Sequence, residues 1–300
     1  MNPIVTECLK HSKFNTLLKD IKNNEKNLSI TGVTDSAKAH LIYALYNYSN
    51  ISPVICCSSI ASAKKMIQDL KFYSSNTEIV FLPAREITYY TVDSQSRETN
   101  DQRVYAINKI ISGAKNCIFV TTIDALMQKM MPKSTYENLN VEIDLNTKAN
   151  MQDIITSLNL MGYSRVELVE SKGEYSVRGG IIDIYTIDGT NPYRIEFFGD
   201  DIDSIRTFDI HTQRSVSAVS NLSITYSNEY IISSKRKEEC IEKLNELLNT
   251  DIDSALKETL EQDIDIINTR DVLDVLDKYY NLLVPDAVSL LDYFTSQNVV

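Results

Sequence analysis

The sequence predicts an α/β chain: a parallel-sheet layer domain first, an inserted α+β domain with an antiparallel sheet next, and an acidic helical segment last. Three observations predict it. Short β-branched apolar runs alternate with helix-length amphipathic stretches in the first part. Strand signals separated by short turn signals dominate the middle. Residues 233–300 then carry seven Lys and Arg against fifteen Asp and Glu in helix-periodic sequence. At 300 residues the chain exceeds one average domain, which agrees with more than one unit.

In order, apolar runs at residues 28–33, 53–57, 79–82 and 117–121 predict strands, and residues 36–48, 60–73 and 99–111 predict helices. Short apolar runs separated by helices indicate a parallel sheet covered on both faces, here residues 1–129. Ile154, Ile155, Leu158 and Met161 recur at helical spacing and predict a helix over 151–161. Strands are expected at 165–169, 175–177, 181–185, 193–198 and 202–208, the last two forming a hairpin across Gly199-Asp200-Asp201. These make the α+β domain, residues 130–215. Residues 216–300 are expected to return to the first domain, with acidic helices at 238–248, 252–267 and 270–283. A further strand is expected to begin at 296–300, as in a piece of a longer protein.

Composition excludes several classes. An apolar fraction of 43% with 24% charged residues is ordinary for a globular protein. No apolar run approaches the roughly 20 residues of a membrane helix, and the first ten residues lack a signal-peptide plan, so a cytoplasmic location is expected. Cys8, Cys56, Cys57, Cys117 and Cys240 form no C-x-x-C pair, and His11, His40 and His211 are dispersed. Neither a disulfide framework nor a metal site is expected. The net charge of −11 opposes nonspecific nucleic-acid binding by the whole chain.

The expected strand at 28–30 runs into Thr31-Gly32-Val33-Thr34-Asp35-Ser36-Ala37-Lys38-Ala39, the placement of a phosphate-binding loop, G-x-x-x-x-G-K-[ST]. Gly32 and Lys38 stand where that pattern requires them. Ala37 replaces the second glycine and crowds the backbone that must wrap a phosphate. Ala39 replaces the hydroxyl that would hold Mg²⁺, and Asp35 adds a negative charge. Asp124 follows its strand without an acidic neighbour. A retained strand-turn-helix scaffold is expected, with no catalytic residue and no cofactor.

Two segments of the α+β domain stand out. Around Arg178-Gly179-Gly180 the paired glycines indicate a bulge or a close approach by another backbone. In Tyr193-Arg194-Ile195-Glu196-Phe197-Phe198, alternation sets Tyr193, Ile195 and Phe197 on one face and Arg194, Glu196 and Phe198 on the other. An exposed arginine and aromatic on a sheet is hot-spot composition for a protein interface. On spacing alone that reading and a helix-covered face stand level.

The same residues carry a resemblance. The segment Gly173-Glu174-Tyr175-Ser176-Val177-Arg178-Gly179-Gly180-Ile181-Ile182-Asp183-Ile184-Tyr185, the hairpin from Tyr193 through Arg206, Phe208-Asp209 and Gln213-Arg214-Ser215 resemble the UvrB-like N-terminal region of the Mfd family of transcription-repair coupling factors. Less closely, they resemble UvrB itself. Thr31 to Lys38 and Leu82-Pro83-Ala84-Arg85-Glu86 fall in matching order, and the match runs to about Tyr230. The resemblance implies a helicase-type α/β domain with an inserted domain that binds UvrA. It implies contacts through Arg178, Arg194 and Phe198, with Arg206 a further candidate across the hairpin. The degenerate loop agrees with Mfd and departs from UvrB. RNA polymerase, double-stranded DNA and an ATP- and Mg-dependent motor are assigned by the family to parts beyond Val300. The competing reading is a UvrB-like module that binds ATP and DNA; a scaffold that restrains the motor is a third. On the docking reading, Arg194→Glu is expected to abolish UvrA binding without lowering the melting temperature.

Overall fold

A computed structural model describes residues 3–23, 25, 27–49, 51–74, 76–85, 97–114, 116–137, 139–145, 149–199, 201–269 and 275–294. In chain order the elements are α1 (Pro3–Glu7), α2 (Ser12–Lys22), α3 (Asp35–Ser49), β1 (Val54–Cys57), α4 (Ile60–Tyr73), β2 (Glu78–Leu82), α5 (Arg97–Ile111), β3 (Cys117–Thr122), α6 (Ile123–Met127), β4 (Lys129–Met130) and β5 (Asn140–Asp144). There follow α7 (Met151–Leu160), β6 (Ser164–Arg165), β7 (Glu174–Arg178), β8 (Ile181–Tyr185), β9 (Tyr193–Phe198), β10 (Asp201–Phe208), β11 (Ser215–Ala218) and β12 (Asn221–Thr225). The last elements are α8 (Ser234–Leu248), α9 (Ser254–Thr269), α10 (Leu276–Leu283) and β13 (Val288–Ser289). Parallel and antiparallel sheets are both present, so the chain is mixed α/β. It divides into two compact units: Met1–Arg85 with Ala106–Lys129 and Ser289–Val300, and Glu86–Tyr105 with Met130–Val288.

The first unit is built on a parallel sheet in the order β1-β3-β2. Phe119 of β3 pairs with both Val54 and Val80. Every residue of β3 is buried, so both faces of the central strand are covered, as its unbroken apolar run requires. Helix α4 starts at a capping box in which Ser59 and Ser62 each satisfy the other's backbone N–H. Phe14, Tyr43, Leu45, Leu70, Ile118 and Val120 belong to one core cluster.

One expected strand is missing. Residues 28–34 are described and form no strand, and Leu28 and Ile30 lie exposed. Apolar, β-branched sequence favours an extended chain, but a strand exists only when a neighbour completes its ladder, and none does so among the described residues. Gly32 takes φ +79°, a left-handed conformation that suits glycine, just ahead of α3.

In the second unit a six-stranded sheet runs β11-β10-β9-β8-β7-β6, antiparallel except for the β6–β7 pair. Ile182, Ile195 and Ile205 stand in register on adjacent strands, all fully buried, and form a continuous inner row. Helix α7 buries Ile154, Ile155 and Leu158, and its Asn159 accepts a 2.8 Å hydrogen bond from the Tyr175 hydroxyl on β7. Strand β6 ends at Arg165 where the pattern suggested Val169. Past the expected strand, the Glu174 carboxylate accepts the backbone N–H groups of Glu170 and Ser171 at 2.9 and 2.8 Å within a loop. Strands β5 and β12 form a separate antiparallel pair. Among the three late helices, Asp263 of α9 accepts hydrogen bonds from Lys278 and Tyr279 of α10. Arg270, the start of the helix expected over 270–283, and the strand expected at 296–300 lie outside the described residues, as do Glu86 and Asp200. Among the described residues no helix is long and apolar enough to cross a membrane, and no His, Cys, Asp and Glu group is placed to hold a metal ion.

A buried ion pair ties distant stretches of this unit together. Arg103 on α5 donates from Nε and Nη2 to the two carboxylate oxygens of Glu229, each at 2.6 Å, with both side chains shielded from water. The Tyr136 hydroxyl donates to the Glu229 carbonyl. Removing one member strands the other charge in the interior. Arg103→Met is therefore expected to cost about 3–5 kcal/mol of stability in urea unfolding of the chain.

Burial alone would push the Glu174 carboxyl up, but the Glu170 N–H, the Arg97 guanidinium and the Ser171 N–H outweigh it and hold the group below its usual 4.5. Because the folded value is the lower one, this stabilisation is complete above the unfolded value and is lost as pH falls through the folded value. Glu174→Gln should flatten the acid limb of the stability curve, read as urea midpoints from about pH 5 downward.

Candidate functional site: the outer face of the antiparallel sheet

Strand register builds this face. Ser176 on β7, Asp183 on β8, Arg194 on β9 and Arg206 on β10 lie in one row, and Arg178, Ile181, Glu196 and Ser204 lie in the next. Since alternate residues share a face, both rows project from the side opposite the isoleucine row.

Asp183 is the centre of the arrangement. It is only 1% exposed, and a carboxylate taken out of water must be paired and hydrogen-bonded. Arg194 meets it with Nε at 2.7 Å from Oδ1 and Nη2 at 2.9 Å from Oδ2, a bidentate fork. Arg178 donates from Nη2 to Oδ2 at 2.5 Å from the other side. The remaining edge of Arg194 reaches the Gln213 carbonyl at 3.4 Å, and its guanidinium lies 4.7 Å from the centre of the buried Phe208 ring. The hydrogen bond to Asp183, ahead of the opposing effect of burial, raises the Arg194 pKa.

Gln213 is held for this by its turn. It adopts φ +58° between Asp209 and Ser215, and its N–H donates to the Asp209 carbonyl at 2.8 Å. The Asp209 carboxylate accepts from the Thr212 backbone and hydroxyl and from the His211 N–H, which lower its pKa.

The four candidate residues differ in exposure. The Arg194 side chain is 16% exposed and Arg178 50%. Phe198 is 83% exposed at the end of β9, just before Gly199 in a left-handed conformation. Arg206 is 43% exposed and lies 3.5 Å from Glu196, which also accepts the Ser204 hydroxyl at 2.7 Å. Alternation thus placed Arg194 with Phe198 correctly, while the burial of Arg194 depends on partners from β8 and β10. Asp183 itself was missed. Its signal was an acidic residue inside the apolar run Ile181-Ile182-Asp183-Ile184-Tyr185.

The paired glycines are explained by two separate demands. Gly179 takes φ +60° in the two-residue turn between β7 and β8. Gly180 passes close to β9: a Cβ there would stand 3.0 Å from the Phe197 carbonyl oxygen, and its own carbonyl accepts the Phe197 N–H at 2.8 Å.

In the first unit, Lys38 is paired within its own helix. Lys38 Nζ lies 2.7 Å from Asp35 Oδ1 one turn back on α3, and this hydrogen bond holds the Asp35 carboxyl below its usual value. Ala39 is buried in the core cluster, and the Ala37 N–H is taken by the Thr34 carbonyl at 2.9 Å.

Residues 141–230, which include this sheet face, match the UvrB interaction domain family. The whole chain is 26% identical to a transcription-repair-coupling factor of Staphylococcus haemolyticus, where it covers 26% of that protein. Against the factor of Staphylococcus aureus strain USA300 the identity is 32% over 75% of this chain and 19% of the relative. With the Bacillus subtilis factor it is 26% over 98% of this chain and 26% of the relative. The chain is a relative of the transcription-repair-coupling factors. It spans about a quarter of the length of these relatives, and its UvrB interaction domain match falls on the unit that carries the Arg-Asp-Arg face.

The buried Asp183 changes what is expected of one substitution. Arg194→Glu sets a second carboxylate against it and removes its fork, so stability should fall by on the order of 3–5 kcal/mol. A lowered melting temperature in differential scanning calorimetry checks this, in place of the unchanged value expected from sequence.

Proposed function

We propose that this chain is a docking segment of a transcription-coupled repair factor, which recruits the nucleotide excision repair protein UvrA to stalled RNA polymerase. The contact is the outer sheet face with Arg178, Arg194, Phe198 and Arg206. The observation that carries the reading is the coincidence of the UvrB interaction domain match with a face that holds guanidiniums in fixed positions beside a fully presented phenylalanine. Rigid arginine and aromatic side chains are the usual anchors of protein interfaces, because little rotamer entropy remains to be lost on binding.

The segment itself carries no ATPase chemistry in this reading. Lys38 is engaged by Asp35, Ala39 supplies no hydroxyl for magnesium, and the net charge of −11 opposes phosphate-rich ligands. The ATP-driven translocase, its magnesium and the contacts with RNA polymerase and duplex DNA belong to other parts of the longer protein.

Titration of the chain with purified UvrA tests the proposal. Phe198→Ala should weaken binding by about 2 kcal/mol, roughly 30-fold, with no change in melting temperature, since the ring rests mostly in water. Wild-type affinity in that variant counts against this face. Micromolar binding of Mg-ATP, or duplex DNA binding with a steep salt dependence, would establish the UvrB-like module instead.

A further inference from the structure

We infer that Asp183 is a positioning residue that acts on the two arginines of this face differently: it clamps Arg194 within the sheet face, and it holds Arg178 as the guanidinium that receives a partner carboxylate. The inference rests on the docking reading above and goes beyond it, since it assigns a role to a residue outside the contact set and names the chemistry that Arg178 recognises.

The two arginines differ in how many of their donors are engaged. Arg194 spends Nε and Nη2 on Asp183 and Nη1 on the Gln213 carbonyl, and one face of its guanidinium lies over Phe208. All three of its nitrogens are engaged. Arg178 uses Nη2 alone, on Asp183 Oδ2. Its Nε and Nη1 have no acceptor among the described residues, and half of its side chain is in water. A guanidinium presents five donors in two flat forks, Nε with Nη2 and Nη1 with Nη2, so the second Nη2 hydrogen of Arg178 remains to form an open edge with Nε or Nη1. That edge matches a carboxylate, which accepts two parallel N–H bonds.

Charge points the same way. One buried carboxylate shared by two guanidiniums leaves one positive charge uncompensated in this cluster, whereas Arg206 and Glu196 offset each other beside it. The compensation of Asp183 is not interchangeable between its partners. Without the Arg194 fork the carboxylate would be buried with a single hydrogen bond, and without Asp183 the Arg178 side chain would be free to rotate. The open edge of Arg178, the uncompensated charge and the presented Phe198 ring together select a partner surface with an acidic residue beside an apolar pocket.

A double-mutant cycle on the 300-residue chain, read as affinity for UvrA, tests this. Asp183→Asn should weaken binding about tenfold or more when Arg178 is present, and by less than about twofold in the Arg178→Ala background. A purely structural role for Asp183 gives additive losses instead, and additivity overturns the inference. Arg178→Lys guards against a variant that fails to fold, because its site is half in water. It keeps the charge and loses the fork, so it should bind no better than Arg178→Ala; wild-type affinity there also overturns the inference. Failure of the unaltered chain to bind UvrA is a separate result. It removes the docking reading, and this inference with it.

Discussion

A carboxylate in the middle of a sheet has to be neutralised where it stands, and much of the second unit is organised around meeting that requirement at Asp183. The strands on either side each supply a guanidinium, and β10 supplies the Phe208 ring on which one of them rests. The turn after β10 supplies a carbonyl to the same guanidinium. Each of these groups is held by the ladder register, so the charge cluster and the sheet order depend on one another. A shift of one residue in β9 would bring Ile195 to the position of Arg194 and turn the whole arrangement inside out.

The same chemistry recurs around Arg103 and Glu229, with a different outcome. There the fork is closed on both sides, neither charge reaches water, and the pair joins residues far apart in sequence. At Asp183 the ratio of two guanidiniums to one carboxylate leaves an edge open. Closed pairs specify which segments meet, and an open one can meet a partner as well. In the first unit Lys38 and Asp35 form a third pair, exposed and local to one helix turn.

Elements whose periodicity is long or unbroken were legible from sequence: α4 over Ile60–Tyr73, β8 over Ile181–Tyr185 and β9 over Tyr193–Phe198 take the expected bounds. The strand expected at 28–33 failed because apolar content reports a preference, while pairing depends on an available neighbour. The strand expected to reach Val169 stops at Arg165, and the chain beyond it runs into a loop whose Glu170 and Ser171 amides are taken by the Glu174 carboxylate. In the candidate site, the face shared by Arg194 and Phe198 followed from alternation alone. The paired glycines announced a constraint whose two components, a left-handed turn and a close approach to Phe197, became separable only with β9 in place.

The sequence by itself determined which residues share a face, that Ala37 and Ala39 stand where a phosphate-loop pattern would need a glycine and a hydroxyl, and that the chain mixes parallel and antiparallel regimes. These follow from periods of two and of 3.6 residues and from the side-chain inventory, which are local properties. Only the tertiary structure decided that Arg194 is clamped while Arg178 keeps an open edge. That distinction depends on cross-strand register and on how much water reaches each guanidinium, and neither is encoded within any single strand.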